Sequence, residues 1–220
     1  MKIQDVGFFD PKAEWSVVER ALPHWAQAGT LCFVTWRAAD SLPASVLDRL
    51  DRAIEVLLRD EGLDPSGDWI GQLAKRDAKQ RGQVQWKRFV MRDKFLDQGH
   101  GECLLARPEC SAIVEDGLKK FDEDLYFLTD VVLMPYHVHV IAAFRDEASF
   151  LKQCTDWKRY MAREINKQVG RGGEYWQVDQ FDHLIRSLQQ FDHYRHYVAQ
   201  NLTKANLATD SFRHYQKALT

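Results

Sequence analysis

The sequence predicts an α+β fold in which a small antiparallel sheet carries helices on one face. Short runs of strand-forming residues alternate along the chain with longer segments whose apolar residues recur every three or four positions. Two of the strand-like runs are separated by a break short enough for a hairpin. Because no internal repeat or low-complexity segment is present, we expect one domain spanning residues 1–220.

Composition narrows the classes of function. The chain has 220 residues, of which 45% are hydrophobic and 28% charged, which is enough to bury a core. A net charge of −2 argues against a protein that coats nucleic acid, but it permits an enzyme with a local basic surface. The four cysteines lack metal spacing and are expected to be reduced and mostly buried. No signal pattern or apolar run of about 20 residues occurs, so a cytoplasmic location without a membrane partner is expected.

The first part of the chain predicts an arm, a strand and a helix. The first 25 residues are expected to form a loosely structured arm. Residues 30–37 are rich in strand formers and form the first predicted strand. Ser45 can cap a helix that runs to Gly62, since apolar residues recur at helical spacing between them.

A helical insertion is expected after this first strand, over about residues 42–106. Its second half, residues 64–98, mixes charges with isolated aromatic residues, and one or two short helices are expected there. The rest of the core then spans residues 107–207. Pro108 begins a helix, because proline is tolerated in a first turn. The expected buried stripe of this helix is Ile113, Val114, Leu118 and Phe121.

The remaining segments complete the core. Strands are predicted at 125–133 and 136–144, then a long helix at 147–168, a strand at 181–186 and a helix at 189–202. Without the insertion the order is βαββαβ, which predicts a ferredoxin-like core followed by a C-terminal helix.

Two histidines lie within an apolar run on the second strand of the predicted hairpin. In a strand, His137 and His139 point to one face while Val138 points to the other. Two neutral imidazoles side by side can bind a divalent metal, which typically acts on a phosphate, a carbonyl or a bound water. With 8 histidines in the chain such a pair arises by chance roughly 0.3 times. The residues elsewhere in the sequence must therefore decide whether this histidine pair is a metal site.

The last predicted helix supplies a second pattern. Tyr197 and Asn201 are four residues apart and so share one helical face, where the amide oxygen suits a divalent ion. A free tyrosine has a pKa near 10, so forming its phenolate at pH 7 costs about 4 kcal/mol. A metal that polarises a phosphodiester would make such a phenol a useful nucleophile. A tyrosine on an amphipathic helix is more often a core aromatic. Tyr194 and Tyr160 are rivals without an amide at this spacing.

A basic stripe is expected on the long helix. Arg159, Arg163 and Lys167 follow each other at four-residue spacing, and Arg171 lies at the helix exit. The ordinary interpretation of such a run is a solvated face. The regular spacing favours a surface that contacts DNA phosphates.

A series of separate stretches carries a family resemblance. In chain order they are GTLCFVTWR (29–37), ADSLP (39–43), LDQGHGECLL (96–105), VVLMPYHVHV (131–140), YWQ (175–177), FDHLIR (181–186) and Tyr197-x-x-x-Asn201-x-x-Lys204. In content and order they resemble the REP-associated tyrosine transposases, a branch of the His-hydrophobic-His (HUH) single-tyrosine transposases. Such a string is far more specific than the histidine pair alone.

The resemblance implies a reaction and its residues. His137, His139 and Asn201 would bind Mg²⁺ or Mn²⁺. Tyr197 would attack single-stranded DNA, become linked to the 5′ phosphate and leave a free 3′ hydroxyl without ATP. The implied substrates are hairpin-forming repetitive extragenic palindromes, bound by a monomer, with a dimer as the alternative. Lys204 joins the stripe as a predicted DNA contact.

Some assignments stay open at this point. His183 is a candidate for active-site support, as a metal neighbour, a proton shuttle or a core histidine. Tyr136 and Leu202 depart from the residues usual in the family, which affects substrate sequence and fine positioning more than reaction class. Two other functions are considered: a module that binds repeat DNA without cleaving it, and a metallonuclease that activates water.

Overall fold

In a computed structural model of the protein, the described residues are 1–19, 23–204 and 213–218, without the side chains of Pro23 and of residues 201–204. Within this part of the chain the strands are β1 Ser16–Glu19, β2 Pro23–Ala26, β3 Leu31–Arg37, β4 Tyr126–Leu133, β5 His137–Phe144, β6 Phe181–Leu184 and β7 Arg213–Gln216. The helices are α1 Ala44–Asp60, α2 Trp69–Ala74, α3 Ala78–Leu96, α4 Pro108–Lys119, α5 Glu147–Val169 and α6 Leu188–Lys204.

The main sheet has five strands in the order β6-β3-β5-β4-β7, and every neighbouring pair is antiparallel. Four of these strands alternate with α4 and α5 along the chain as β3-α4-β4-β5-α5-β6, which is the predicted βαββαβ plan. The predicted α+β class and antiparallel sheet are therefore confirmed. The C-terminal helix α6 follows β6, as expected, and β7 then adds a fifth strand beside β4.

Several local predictions were wrong. The expected loose arm contains the antiparallel pair β1–β2, in which Ser16 lies opposite Ala26. The first insertion helix begins at Ala44, so Ser45 is inside it and does not cap it. Only short helices were expected over residues 64–98, but α3 in this segment has 19 residues. Phe121 lies beyond the end of α4 and is 39% exposed, because the helix stops at Lys119 before its stripe reaches that position.

The chain divides into two compact units, residues 1–39 with 102–220 and residues 40–101. The second unit contains α1, α2 and α3. Its small core consists of Leu58, Leu63, Leu73 and Val84, with Ile54 and Trp69 packed against it. Asp68 and Asp77 accept hydrogen bonds from the first turns of α2 and α3, which fixes where these helices begin. No described helix is long and apolar enough to cross a membrane.

The two faces of the main sheet differ in chemistry. Successive side chains of a strand point to opposite faces. One face is apolar and belongs to the main core, with Cys32, Val34, Trp36, Val131, Leu133, Val138, Val140 and Ala142. The helices α4 and α5 cover this face with residues that include Val114, Leu118, Trp157, Met161 and Ile165. None of the four cysteines, all of which lie in the described part of the chain, forms a disulfide, and Cys32, Cys110 and Cys154 are buried, as predicted.

A buried ionic cluster joins β2 to β6. His24 is 1% exposed, and its Nδ1 contacts the Asp182 carboxylate while its Nε2 lies 2.7 Å from Asp179 Oδ1. Burial lowers the pKa of His24, but hydrogen bonds and charge from Asp182 and Asp179 outweigh it, so the pKa is raised overall. The His24 side chain therefore links the β1–β2 pair to β6 at the edge of the main sheet.

We expect His24→Ala to lower the free energy of unfolding by about 3 to 5 kcal/mol, because it leaves the buried Asp182 carboxylate without its partner. Urea denaturation at pH 6 measures the change. The matched control is Lys152→Gln, which removes an exposed pair with Asp156 on α5 and should cost less than about 0.5 kcal/mol. Equal effects of the two substitutions would contradict a stabilising role of the cluster.

The same cluster predicts a pH dependence of stability. Because the pKa of His24 is raised in the folded state, its contribution is complete below the unfolded pKa of about 6.5 and is lost as pH rises through the folded pKa. The free energy of unfolding should therefore fall above pH 6.5 in the wild type. In His24→Ala this decline should disappear.

Candidate active site

The polar face of the main sheet gathers functional side chains from β3 and β5. The antiparallel register places Thr35 opposite His139 and Arg37 opposite His137. Residues directly opposite one another point to the same face, so these four side chains are neighbours. The predicted shared face of the two histidines is the face opposite α4 and α5.

The two histidines converge on one point. Both are fully buried, and their Nε2 atoms lie 2.9 Å apart. On the far side of the His139 ring, Nδ1 lies 2.7 Å from Thr35 Oγ1. That contact orients the His139 ring and directs its Nε2 toward His137.

Burial keeps both imidazoles in the form that binds metals. Desolvation lowers the pKa of His137 to about 3. Desolvation, and then the charge of His137, lowers the pKa of His139 well below its ordinary value. Both rings are therefore neutral at pH 7, and neutral imidazole is the ligand form of histidine.

The spacing of the two nitrogens fits a divalent cation. Two ligands about 2.1 Å from an octahedral ion and at right angles to each other lie about 3.0 Å apart. The Nε2 atoms of His137 and His139 lie 2.9 Å apart, close to that value. The same distance also suits a hydrogen bond between neutral imidazoles, in which one ring donates and the other accepts. The donor set therefore fits a metal without a change in the strand.

Tyr197 lies beside this pair. Its ring centroid is 5.8 Å from that of His139 and 6.3 Å from that of Phe33, and it meets both rings edge to face. Phe33 in turn stacks on His139 with centroids 5.5 Å apart. The tyrosine is 7% exposed, so α6 holds its ring against the histidine face rather than in solvent.

The rival tyrosines occupy different surroundings. Tyr194 stacks on Phe33 with centroids 4.5 Å apart, and burial raises the pKa of Tyr194 strongly. Its hydroxyl is therefore less readily ionised than that of a free tyrosine. Tyr160 lies on α5, where its ring packs close to Gly117 of α4. That helix covers the opposite face of the sheet, so Tyr160 is separated from the histidine pair.

Two predicted residues fall at the end of the tyrosine helix. Asn201 and Lys204 belong to α6, which confirms their helical position, but their side chains lie outside the described residues. One turn separates Asn201 from Tyr197, as the i,i+4 spacing predicts. The proposed amide ligand remains a prediction from that spacing.

His183 shares the histidine face but has another local role. It lies opposite Phe33 in the register, and its ring centroid is 5.8 Å from that of Tyr194. Its Nε2 accepts a hydrogen bond from Gln190 Nε2 at 3.0 Å and lies 2.7 Å from Arg186 Nη1. Desolvation and the charge of Arg186 lower the pKa of His183 to about 3. These contacts place it at the start of α6, and its support of the active site stays a prediction.

The structure does not bring the predicted basic stripe to the histidine face. Arg159, Arg163 and Lys167 are exposed on α5, which lies across the sheet from Tyr197. Arg171 donates to Glu102 Oε1 at 2.8 Å and is engaged in that ion pair. DNA contact by these residues remains a prediction, for a surface distinct from the site around Tyr197.

Two residues of the site were missed by sequence analysis. Phe33 and Thr35 lie in a strand that the sequence predicts, and alternation places them on one face. The missing information was the register between β3 and β5, which turns that face toward the histidines. Tyr136 is buried, with its ring centroid 5.1 Å from that of His137.

Comparison with known proteins gives little direct similarity. No family model matches the chain, and no curated protein matches it. A solved structure of a REP-associated tyrosine transposase bound to a REP hairpin is similar to the chain with a TM-score of 0.38 and 15% sequence identity. The match covers 84% of this chain and 73% of that chain. The strand order and register define the fold of this chain independently of that likeness.

Proposed function

We propose that the protein cleaves and rejoins single-stranded DNA by metal-dependent transesterification, with Tyr197 as the nucleophile. One observation carries the proposal: two buried imidazoles with Nε2 atoms 2.9 Å apart lie beside a tyrosine ring that is 5.8 Å from one of them. A metal site without a nearby nucleophile would fit many hydrolases. A tyrosine held against the site favours covalent chemistry.

His137, His139 and Asn201 are the residues that would hold Mg²⁺ or Mn²⁺. When bound, the ion polarises the scissile phosphate and stabilises negative charge as the 3′ oxygen leaves. Thr35 keeps the His139 ring oriented toward the shared point. In this proposal β5 would supply two ligands, His137 and His139, and Asn201 in the last turn of α6 would supply the third.

The Tyr197 hydroxyl oxygen attacks the phosphorus, and the bond from phosphorus to the 3′ oxygen breaks. The phenol proton passes to solvent, and the departing 3′ oxygen takes up a proton to become a free hydroxyl. The enzyme is left joined to the 5′ phosphate through a phosphotyrosine. That linkage conserves the bond energy, so attack by a 3′ hydroxyl rejoins strands without ATP.

We propose hairpin-forming extragenic repeats as the substrate, acted on by a monomer. The support is the ordered series of stretches between residues 29 and 204 that resembles the REP-associated branch. The exposed stripe Arg159, Arg163 and Lys167, with Arg171 and Lys204, would contact DNA backbone through charge. Its position on α5 suits a part of the substrate away from the scissile phosphate.

The test uses a pool of single-stranded hairpin oligonucleotides with randomised flanks and a 3′ fluorescent label. We expect incubation with Mn²⁺ to give a labelled protein band on a denaturing gel, because the 3′ fragment carries the 5′ phosphate. EDTA should abolish the band. A 5′-labelled pool should give only shortened free DNA.

Two results would replace the proposal with the other functions considered. Cleavage in Mn²⁺ without any labelled protein band indicates a metallonuclease that activates water. Tight binding of the hairpins without cleavage, in either Mg²⁺ or Mn²⁺, indicates a non-cleaving module.

A further inference from the structure

A buried carboxylate lies beneath the tyrosine helix. Asp130 is fully buried in β4, at an irregularity in its pairing with β5. Its Oδ1 lies 3.1 Å from Arg195 Nε, and Arg195 belongs to α6. Among the described residues, the other carboxylate oxygen accepts no hydrogen bond. The buried Asp130 carboxylate is therefore stabilised by the side chains that donate hydrogen bonds to its Oδ1 atom.

The same arginine reaches the C-terminal strand. Arg195 Nη2 donates to the carbonyl of Lys217 at 2.9 Å, just beyond β7. From within β7, Gln216 Nε2 donates to Asp130 Oδ1 at 2.9 Å. The Arg195 guanidinium thus ties α6 to β4 and to the chain beyond β7. The Asp130 carboxylate accepts hydrogen bonds from Arg195 of α6 and from Gln216 of β7.

We infer that the Asp130–Arg195 pair is a positioning device that fixes the tyrosine helix over the histidine pair, an inference that rests on the proposed function. Arg195 and Tyr197 are two positions apart on α6, so their side chains leave the helix about 200° apart. Tyr197 packs toward Phe33 and His139 on β3 and β5. Arg195 is anchored on β4 and beyond β7. The helix is therefore held on both flanks.

The two-sided attachment has a consequence for catalysis. A nucleophile must approach the phosphorus within a narrow range of distance and angle, and a displacement of about 1 Å can lower a rate about 100-fold. Aromatic contacts on one flank permit the helix to roll about its axis. The directional bonds of a guanidinium on the other flank oppose that motion.

The test measures adduct formation in a single turnover with the 3′-labelled hairpin pool. Arg195→Gln is expected to lower the rate at saturating DNA at least tenfold, while the half-saturating DNA concentration changes less than twofold. Arg195→Lys should recover the rate to within about threefold, since an ammonium can still pair with Asp130. The control is Arg213→Gln, which breaks an ion pair between β7 and Glu115 of α4 and should leave both values within twofold.

A double variant distinguishes loss of helix positioning from misfolding caused by an uncompensated buried charge. Arg195→Gln alone leaves Asp130 buried without its cation, whereas Asp130→Asn/Arg195→Gln removes both charges. The double variant should be as slow as the single one, because residues that act as one unit are not additive. A rate within twofold of wild type in either variant, or an equal loss in Arg213→Gln, overturns the inference.

Hydrogen exchange separates this inference from the proposed function. In Arg195→Gln, the amides of residues 192–200 should exchange at least tenfold faster than in wild type, while those of α4 and α5 stay unchanged. If wild type forms no adduct but α6 loosens in this way, the proposed function fails and the anchoring of the helix stands. If wild type forms the adduct and α6 exchange does not change, the inference fails alone.

Discussion

Tyr197→Phe is expected to abolish the covalent DNA adduct, lowering its rate of formation by about 1000-fold or more. The substitution removes the attacking oxygen and keeps the ring that packs on Phe33 and His139. Binding of the hairpin and of Mn²⁺ should change little, because neither the histidine pair nor the sheet is altered. The measurement is the labelled protein band over time at saturating DNA, with thermal melting to confirm the fold.

Tyr194→Phe is the matched control. Tyr194 lies on the same helix, is similarly buried and loses the same atom, but it stacks on Phe33 by its face. We expect its adduct rate to stay within a few fold of wild type. An adduct that persists in Tyr197→Phe and disappears in Tyr194→Phe would identify Tyr194 as the nucleophile and contradict the proposal for Tyr197. Persistence in both would exclude this helix as its source.

Loss of either histidine is expected to have the second large effect. His137→Ala and His139→Ala should each weaken Mn²⁺ binding about 100-fold or more, because each removes one of two converging nitrogens. The adduct should disappear with the metal at Mn²⁺ concentrations that saturate wild type. Electron paramagnetic resonance of free Mn²⁺ measures binding without DNA, so this result does not depend on the proposed reaction.

His183→Gln supplies the control for metal binding. His183 is another neutral histidine on the same sheet face, and the pKa of both His183 and His137 is lowered to about 3. Its Nε2 accepts from Gln190 at the start of α6. We expect Mn²⁺ affinity to stay within threefold of wild type. A loss as large as that in His137→Ala would instead place His183 among the ligands.

The helices and strands that were predicted correctly have a hydrophobic pattern within their own sequence. The strands β4 and β5 are long apolar runs, and α5 has a regular apolar stripe over 23 residues. In contrast, β7 is Arg213–Gln216, whose polar residues form a strand because β4 offers them an edge to pair with. The β1–β2 pair is likewise attached to the sheet through contacts of His24 with Asp182 of β6 and with Asp179, which no local sequence pattern predicts.

The sequence alone placed His137 and His139 on one face and Tyr197 one helical turn from Asn201, because the periods of strand and helix fix such relations. The tertiary structure decided that Tyr197 contacts His139 and that Thr35 orients the His139 ring. It also placed the basic stripe of α5 on the side of the sheet opposite the two histidines. It also decided that Asp130 and Arg195 pair across 65 residues of chain. These relations depend on strand register and on which sheet face a helix covers, and both are set by packing between segments far apart in the chain.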